Sequence, residues 1–157
     1  MLAEELKTFP MAAALAGTHP EAVVGGKFDR EELTLEIAPA DIDGVCAYLK
    51  NEQKFTRLST ITAVDWYPDE PRFEVVYHLH SPERSERLRL KCRLPGANPE
   101  IASVTEVWRG ANWYERETFD LFGIQFRNHP DLRRIMLPED WEGYPLRKDY
   151  PVTGNRV

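Results

Sequence analysis

The sequence predicts an α+β fold: a two-layer domain with a mostly antiparallel or mixed five-stranded sheet, helices laid on it, and an extended C-terminal arm. Three observations lead there. Residues 86–94 alternate, with Leu88, Leu90, Cys92 and Leu94 on one face and Arg87, Arg89, Lys91 and Arg93 on the other, the period of a half-buried strand. Ile42, Val45, Cys46 and Leu49 fall at i, i+3, i+4 and i+7, the apolar stripe of a helix. After Gly123 the chain holds four of its twelve prolines (130, 138, 145, 151) and no sustained period of either kind, which reads as extended chain.

The elements follow in order. Leu2 to Ala16 reads as helix with a break or kink at Pro10, because proline lacks the amide donor and clashes with the preceding turn, and Gly17 is placed just past its end. Ala22–Phe28 and Leu33–Ile37 are two strands of a hairpin turning through Asp29 to Glu32. The helix carrying Ile42 to Leu49 opens near Pro39 and Asp41. Three longer strands come next, about Arg57–Tyr67, Arg72–His80 and Glu86–Leu94, separated by Pro68-Asp-Glu-Pro71 and Ser81-Pro-Glu-Arg84. A short helical turn around Ile101–Glu106 then leads to a helix over Ala111–Phe122, ended by Gly123. The order is α-β-β-α-β-β-β-α, with a globular domain over 1–123 and an arm over 124–157.

Composition bounds the function. The chain of 157 residues is 42% hydrophobic and 29% charged, enough for one domain with a full core and unlike a disordered chain. No apolar run approaches the roughly 20 residues of a membrane span. The first residues are acidic where a secretory or transit peptide is basic, so the chain is expected to stay where it is made. Cys46 and Cys92 lack the spacing of a zinc, redox or iron–sulfur site and read as small hydrophobes in a reduced setting. The net charge is −6, which argues against nucleic acid as a ligand.

Candidate chemistry is sparse. Gly25-Gly26 has no phosphate-binding pattern around it and reads as a turn. His78 and His80 share a strand face with Glu74 and are a candidate metal set, with a solvated sheet face as the plainer reading. The stripe Arg87, Arg89, Lys91, Arg93 reads either as a guard on an edge strand or as a dock for an acidic partner. In the helix 111–122, Glu115 falls within the apolar arc with Tyr114, Thr118, Phe119, Leu121 and Phe122. A carboxylate there must be hydrogen-bonded or paired, because desolvating it alone costs several kcal/mol. Arg116 and Asp120 lie opposite, with Glu117, and are expected to pair at i, i+4. In the arm, apolar residues from Ile124 to Val152 form no element that could build a second core, so they are expected to lie on another protein's surface.

Glu115-Arg116-Glu117, Asp120-Leu121-Phe122, His129, Arg133 and Ile135-Met136 resemble the signature of the 30 kDa (C) subunit family of respiratory complex I, the proton-pumping NADH:quinone oxidoreductase. The following run to Pro151, with Trp141, Tyr144, Leu146, Arg147, Lys148, Asp149 and Tyr150, is similar to that family's tail. The resemblance implies a structural subunit of the peripheral arm with no active site, cofactor or metal of its own. FMN and iron–sulfur clusters would sit on other subunits. The partners would be the quinone-site (D) subunit, together with the iron–sulfur (B) subunit. It also implies a peripheral place on the cytoplasmic side of the bacterial inner membrane. Similar modules occur in membrane-bound hydrogenases and photosynthetic-type complexes, so an equivalent scaffold in one of those is the alternative. A small metal-dependent enzyme built on His78, His80 and Glu74 is the remaining one.

Overall fold

Proline at position 10 decides how the chain begins. The computed structural model describes residues 3–153; Leu2, expected to open the first helix, and residues 154–157 of the arm lie outside them. Glu4–Thr8 is a 3-10 turn, and helix α1 runs Pro10–Thr18 with Pro10 in its first turn, where an N–H has no intrahelical acceptor to lose. The helix continues through Gly17 and closes on His19, whose N–H donates to the Leu15 carbonyl at 2.8 Å. Gly17 is therefore inside the helix rather than past its end.

Strands β1 (Val23–Asp29) and β2 (Glu32–Ile37) form the expected hairpin. Its turn residues Arg30 and Glu31 both take positive φ, the two-residue geometry whose twist matches paired strands. Gly25-Gly26 lies within β1 and is not a turn. A Cβ on Gly26 would stand 2.6 Å from the Thr34 carbonyl oxygen, so the two strands approach this closely only over a hydrogen atom.

Helix α2 (Ile42–Asn51) buries Ile42, Val45, Cys46 and Leu49, the stripe read from the sequence. Strands β3 (Arg57–Asp65), β4 (Phe73–Ser81) and β5 (Glu86–Leu94) form an antiparallel meander. The sheet order is β1-β2-β5-β4-β3, with β2 and β5 parallel, so the five-stranded sheet is mixed. Phe73, Val75, Tyr77 and Leu79 of β4 and Leu88, Leu90, Cys92 and Leu94 of β5 are buried in the core between the sheet and the helices. Strand β5 is hydrogen-bonded on both sides, which removes the edge-guard reading of its Arg/Lys face: a central strand has no free backbone groups to protect.

The stretch after β5 departs from expectation. Where a helical turn was expected at Ile101–Glu106, Glu100–Ala102 is strand β6, which pairs in parallel with β7 (Gln125–Arg127). Strands of three residues are shorter than any window in which a period shows. Helix α3 occupies Ala111–Phe122 as expected and ends on Gly123 at φ +75°. Ile124 and Phe126 are buried in the same core. The folded unit therefore runs past the expected boundary at residue 123, and the stretch without helix or strand among the described residues begins after Arg127.

Candidate partner-binding surface

The apolar arc of α3 carries a carboxylate that the structure buries completely. Glu115 accepts hydrogen bonds from the Ser103 hydroxyl at 2.6 Å and the Val104 N–H at 2.7 Å, so the requirement that it be partnered is met by the β6–α3 loop. Burial pushes its pKa up to about 7, with the two hydrogen bonds acting in the opposite direction. The His129 side chain is equally buried, with Nε2 3.9 Å from a Glu115 oxygen. Its Nδ1 accepts the Asp131 N–H at 3.0 Å, which leaves Nε2 to carry the proton and donate to the Asn112 carbonyl at 3.2 Å. Burial lowers the pKa of His129, so the imidazole is neutral and the two side chains form no ion pair.

A raised carboxyl pKa stabilises the fold most below the ordinary value of 4.5 and loses that contribution as pH rises through about 7. At roughly 1.4 kcal/mol per unit the full loss is about 3–4 kcal/mol. Glu115→Gln keeps the shape and removes the titration. The stability difference between wild type and variant, from chemical denaturation between pH 4 and 8, is expected to move in the variant's favour as pH rises; a difference that stays flat refutes the assignment. His129 works the other way, its lowered pKa withdrawing stability below about pH 6.5, so the comparison is read between about pH 6.5 and 8.

The other face of α3 holds the C-terminal segment. Asp120, fully buried, accepts from the N–H groups of Ile135, Met136 and Leu137 at 3.0, 2.7 and 2.9 Å and from Arg134 Nη1 at 2.7 Å. Burial raises its pKa, but the bonds from Leu137, Arg134, Ile135 and Met136 outweigh that and hold it below the usual value. Arg116 does not pair with Asp120. It donates to the carbonyls of Arg133 and Arg134 at 3.1 and 3.2 Å and covers the Trp113 ring. The expected pair is replaced because the returning segment offers Asp120 three amides and a guanidinium, a fuller set of donors than one arginine.

Two further clamps follow. The Leu146 N–H donates to the Leu121 carbonyl at 3.1 Å, and Arg147 Nε to the Phe122 carbonyl at 2.7 Å. Gly123 lies under this crossing, where a Cβ would stand within 2.7 Å of the Tyr144 ring and Arg147. Arg134 and Arg147 both stack on Tyr144, and burial lowers the Arg147 pKa. At the end of β3, Arg72 makes a two-pronged pair with Asp65 at 2.8 Å on each side and reaches Asp149 at 2.7 Å. Asp65 also accepts the Lys148 N–H at 2.8 Å and the Tyr67 N–H at 3.0 Å. Burial raises the Asp65 pKa, but the Arg72 pair and these amides override it and bring it to about 2.

The segment expected to be an extended arm lying on a partner is a strap tied to its own domain by its backbone and charges, with apolar side chains left facing out. Met136 is 63% exposed, Leu146 51% and Ile135 37%, and Trp113 of α3 is 59% exposed. Glu117, Arg133 and Lys148 are exposed, with Arg133 paired to Asp131. Trp141 and Tyr150 are half-buried, and the Tyr150 N–H donates to the Arg147 carbonyl. Sequence reasoning passed over Ser103, Arg134, Asp65 and Arg72. For Asp65 the signal was present: it follows Ile61 and Ala63 at period two, on the buried face.

The candidate metal set is not assembled. Glu74 is held by Lys91 at 3.0 Å and Arg93 at 3.6 Å, and burial and Arg89 hold the His78 pKa down. Among the described residues no group of three His, Cys, Asp or Glu is placed to hold a metal ion. No helix among them is long and apolar enough to cross a membrane.

Comparison with known proteins gives one consistent result. The family model described as the respiratory-chain NADH dehydrogenase 30 kDa subunit matches residues 35–156. The C subunit of the NADH-quinone oxidoreductase of Geobacter sulfurreducens is 48% identical over 126 residues, 80% of this chain and 78% of that one. Its counterpart of the same name from Roseiflexus castenholzii is 45% identical over 147 residues, 92% and 84% of the two chains. Among solved structures, the trypsin-resistant fragment (1-134) of Nqo5 superposes with a TM-score of 0.68 at 30% identity, over 78% of this chain and 98% of that one. A chain of the membrane-bound sulfane sulfur reductase, an archaeal respiratory membrane complex, superposes with a TM-score of 0.78 at 30% identity, over 93% and 86%.

Proposed function

Because the chain belongs to the 30 kDa subunit family of respiratory-chain NADH dehydrogenases, we propose that it is a cofactor-free structural subunit of the peripheral arm of a proton-pumping NADH:quinone oxidoreductase. Its partners are the quinone-site (D) subunit, together with the iron–sulfur (B) subunit, on the cytoplasmic side of the bacterial inner membrane. Electrons from NADH pass through FMN and clusters on other chains to quinone, and this chain holds the last of those stations in position. The observation that carries the reading is the strap: Asp120 and the Phe122 carbonyl tie it to its own domain, while Trp113, Ile135, Met136 and Leu146 stay exposed around it. A surface ordered before binding loses little conformational freedom on association, and exposed aromatic and methionine side chains are typical interface anchors.

The test separates assembly from chemistry. Arg116→Ala removes the two bonds to the strap and the cover on Trp113; it is expected to lower the amount of assembled complex several-fold with little change in turnover per assembled complex. Normal assembly with a large loss of turnover refutes the structural role. Flavin or iron–sulfur absorbance in the isolated chain refutes the cofactor-free part.

The similarity to a chain of an archaeal sulfane sulfur reductase favours one second reading, an equivalent scaffold in a related membrane-bound complex with another electron donor, such as a hydrogenase. Mass spectrometry of the co-purifying chains decides between them.

A further inference from the structure

One face of the sheet lies opposite the helices, and its charges are unevenly matched. Toward one end Glu74 is held by Lys91 and Arg93, and Glu36 stands across from Lys91. Toward the other, Arg57 on β3, His80 on β4 and Arg87 on β5 are in register as one row across three strands. Neighbouring strands are about 4.8 Å apart, so the row gathers two guanidinium groups and an imidazole within about 10 Å with no carboxylate among them. Neither Arg57 nor Arg87 makes a side-chain hydrogen bond or ion pair within the described chain. The adjacent row adds His78 and Arg89, and of the carboxylates only Glu32, paired with Arg89, reaches this end. These residues, with Ser59 and Thr60, line an open groove of about 460 Å³.

Two bland explanations fail on geometry. The stripe guards no edge, since β5 is central, and it binds no metal ion, since the groups facing the groove are predominantly cationic. Arg57 and Arg87 have no counter-charge among the described residues, so the row gains from an anionic occupant.

We infer that the Arg57–His80–Arg87 row docks an acidic, Asp/Glu-bearing segment of a neighbouring subunit, at a surface separate from the C-terminal strap; the inference rests on the subunit reading above. Charge complementarity selects the sign of the occupant, and two further arguments select its class. The groove is open, and exposed ion pairs are weak unless the occupant also excludes water; a protein segment brings that bulk, whereas a small free anion does not. A chain of net charge −6 repels a long polyphosphate at a distance, while a short acidic stretch responds to the local row.

The experiment uses the intact complex purified from the source organism. Ser59 lines the groove and is exposed, and both native cysteines are buried. Ser59→Cys, labelled with a thiol-reactive benzophenone, is therefore photolysed in place, and the cross-linked peptide is sequenced. The expected product joins residue 59 to an Asp/Glu-rich stretch of another subunit, with its yield falling at least fivefold at high salt and on Arg57→Gln with Arg87→Gln, and retained by Arg57→Lys with Arg87→Lys. Both arginines are exposed and unpaired, so these variants leave the fold intact, which thermal denaturation verifies. A complex that contains the chain but gives no cross-link, or one to a basic or apolar stretch or to nucleic acid, overturns the docking row and leaves the subunit reading standing. Absence of the chain from every isolated complex overturns both.

Discussion

Asp120→Ala is expected to release the strap and to destabilise the domain by about 3 kcal/mol, toward the lower end of the range for breaking a buried, hydrogen-bonded charge pair. The carboxylate is the common acceptor for Ile135, Met136, Leu137 and Arg134. Without it three amides and a guanidinium must find water, which the partly exposed segment admits, and Arg134 keeps its bonds to the Asp120 and Gly143 carbonyls. For a chain of this length the change corresponds to a fall in Tm of roughly 6–12 °C. It should also open the peptide bonds after Arg133 and Arg134 to trypsin. Asp120→Asn keeps one acceptor oxygen and is expected to lie between the two. An alanine variant that melts within a degree or two of wild type, with unchanged cleavage, would show that the strap is held by something other than this carboxylate.

Arg72→Ala is the second large effect, about 3–5 kcal/mol at neutral pH. It leaves Asp65 buried and charged with only the Tyr67 and Lys148 amides as donors, and it frees Asp149. In the wild type the pair contributes stability that is complete above the ordinary carboxylate pKa of 3.8 and is lost as pH falls through about 2. Without Arg72 the Asp65 pKa rises, so much of the penalty disappears on acidification: the gap between wild type and variant in urea midpoint is expected to be wide at pH 7 and narrow by pH 3. Arg72→Lys keeps the charge but not the two-pronged geometry and is expected to recover part of the loss. A gap that does not change with pH would place the loss in the stacking of Arg72 on Tyr67 and Phe73 instead of in the charge pair.

How far the sequence announces this structure depends on the length scale of each feature. The stripe of α2 and the alternation of β5 are strong local signals, and both elements lie where their patterns place them. Glu115 was legible as a buried carboxylate because its neighbours at helical spacing are apolar, yet its donors, Ser103 and Val104, come from a loop without a pattern. Asp120 misled for the same reason: helical geometry put it on the polar arc, and only the return of residues 134–137 buries it. Strands β6 and β7 are stabilised by pairing with each other across the length of α3, a relation that no local window contains. The family signature located the strap and its anchor Asp120, but a second tie runs to Asp65 and Arg72, outside the signature.

The parallel junction of β2 with β5 has a consequence for how the chain is made. The hairpin β1–β2 leaves the ribosome early, but the outer side of β2 has no partner until β5, residues 86–94, has followed. At synthesis rates of about 5–20 residues per second that interval lasts some seconds, during which an unpaired strand edge is open to neighbouring nascent chains. Glu32 and Glu36 stand on that strand, and the residues that later face it are Arg89 and Lys91. The same opposite charges that fix the register in the finished sheet therefore discourage one early hairpin from pairing with another copy of itself.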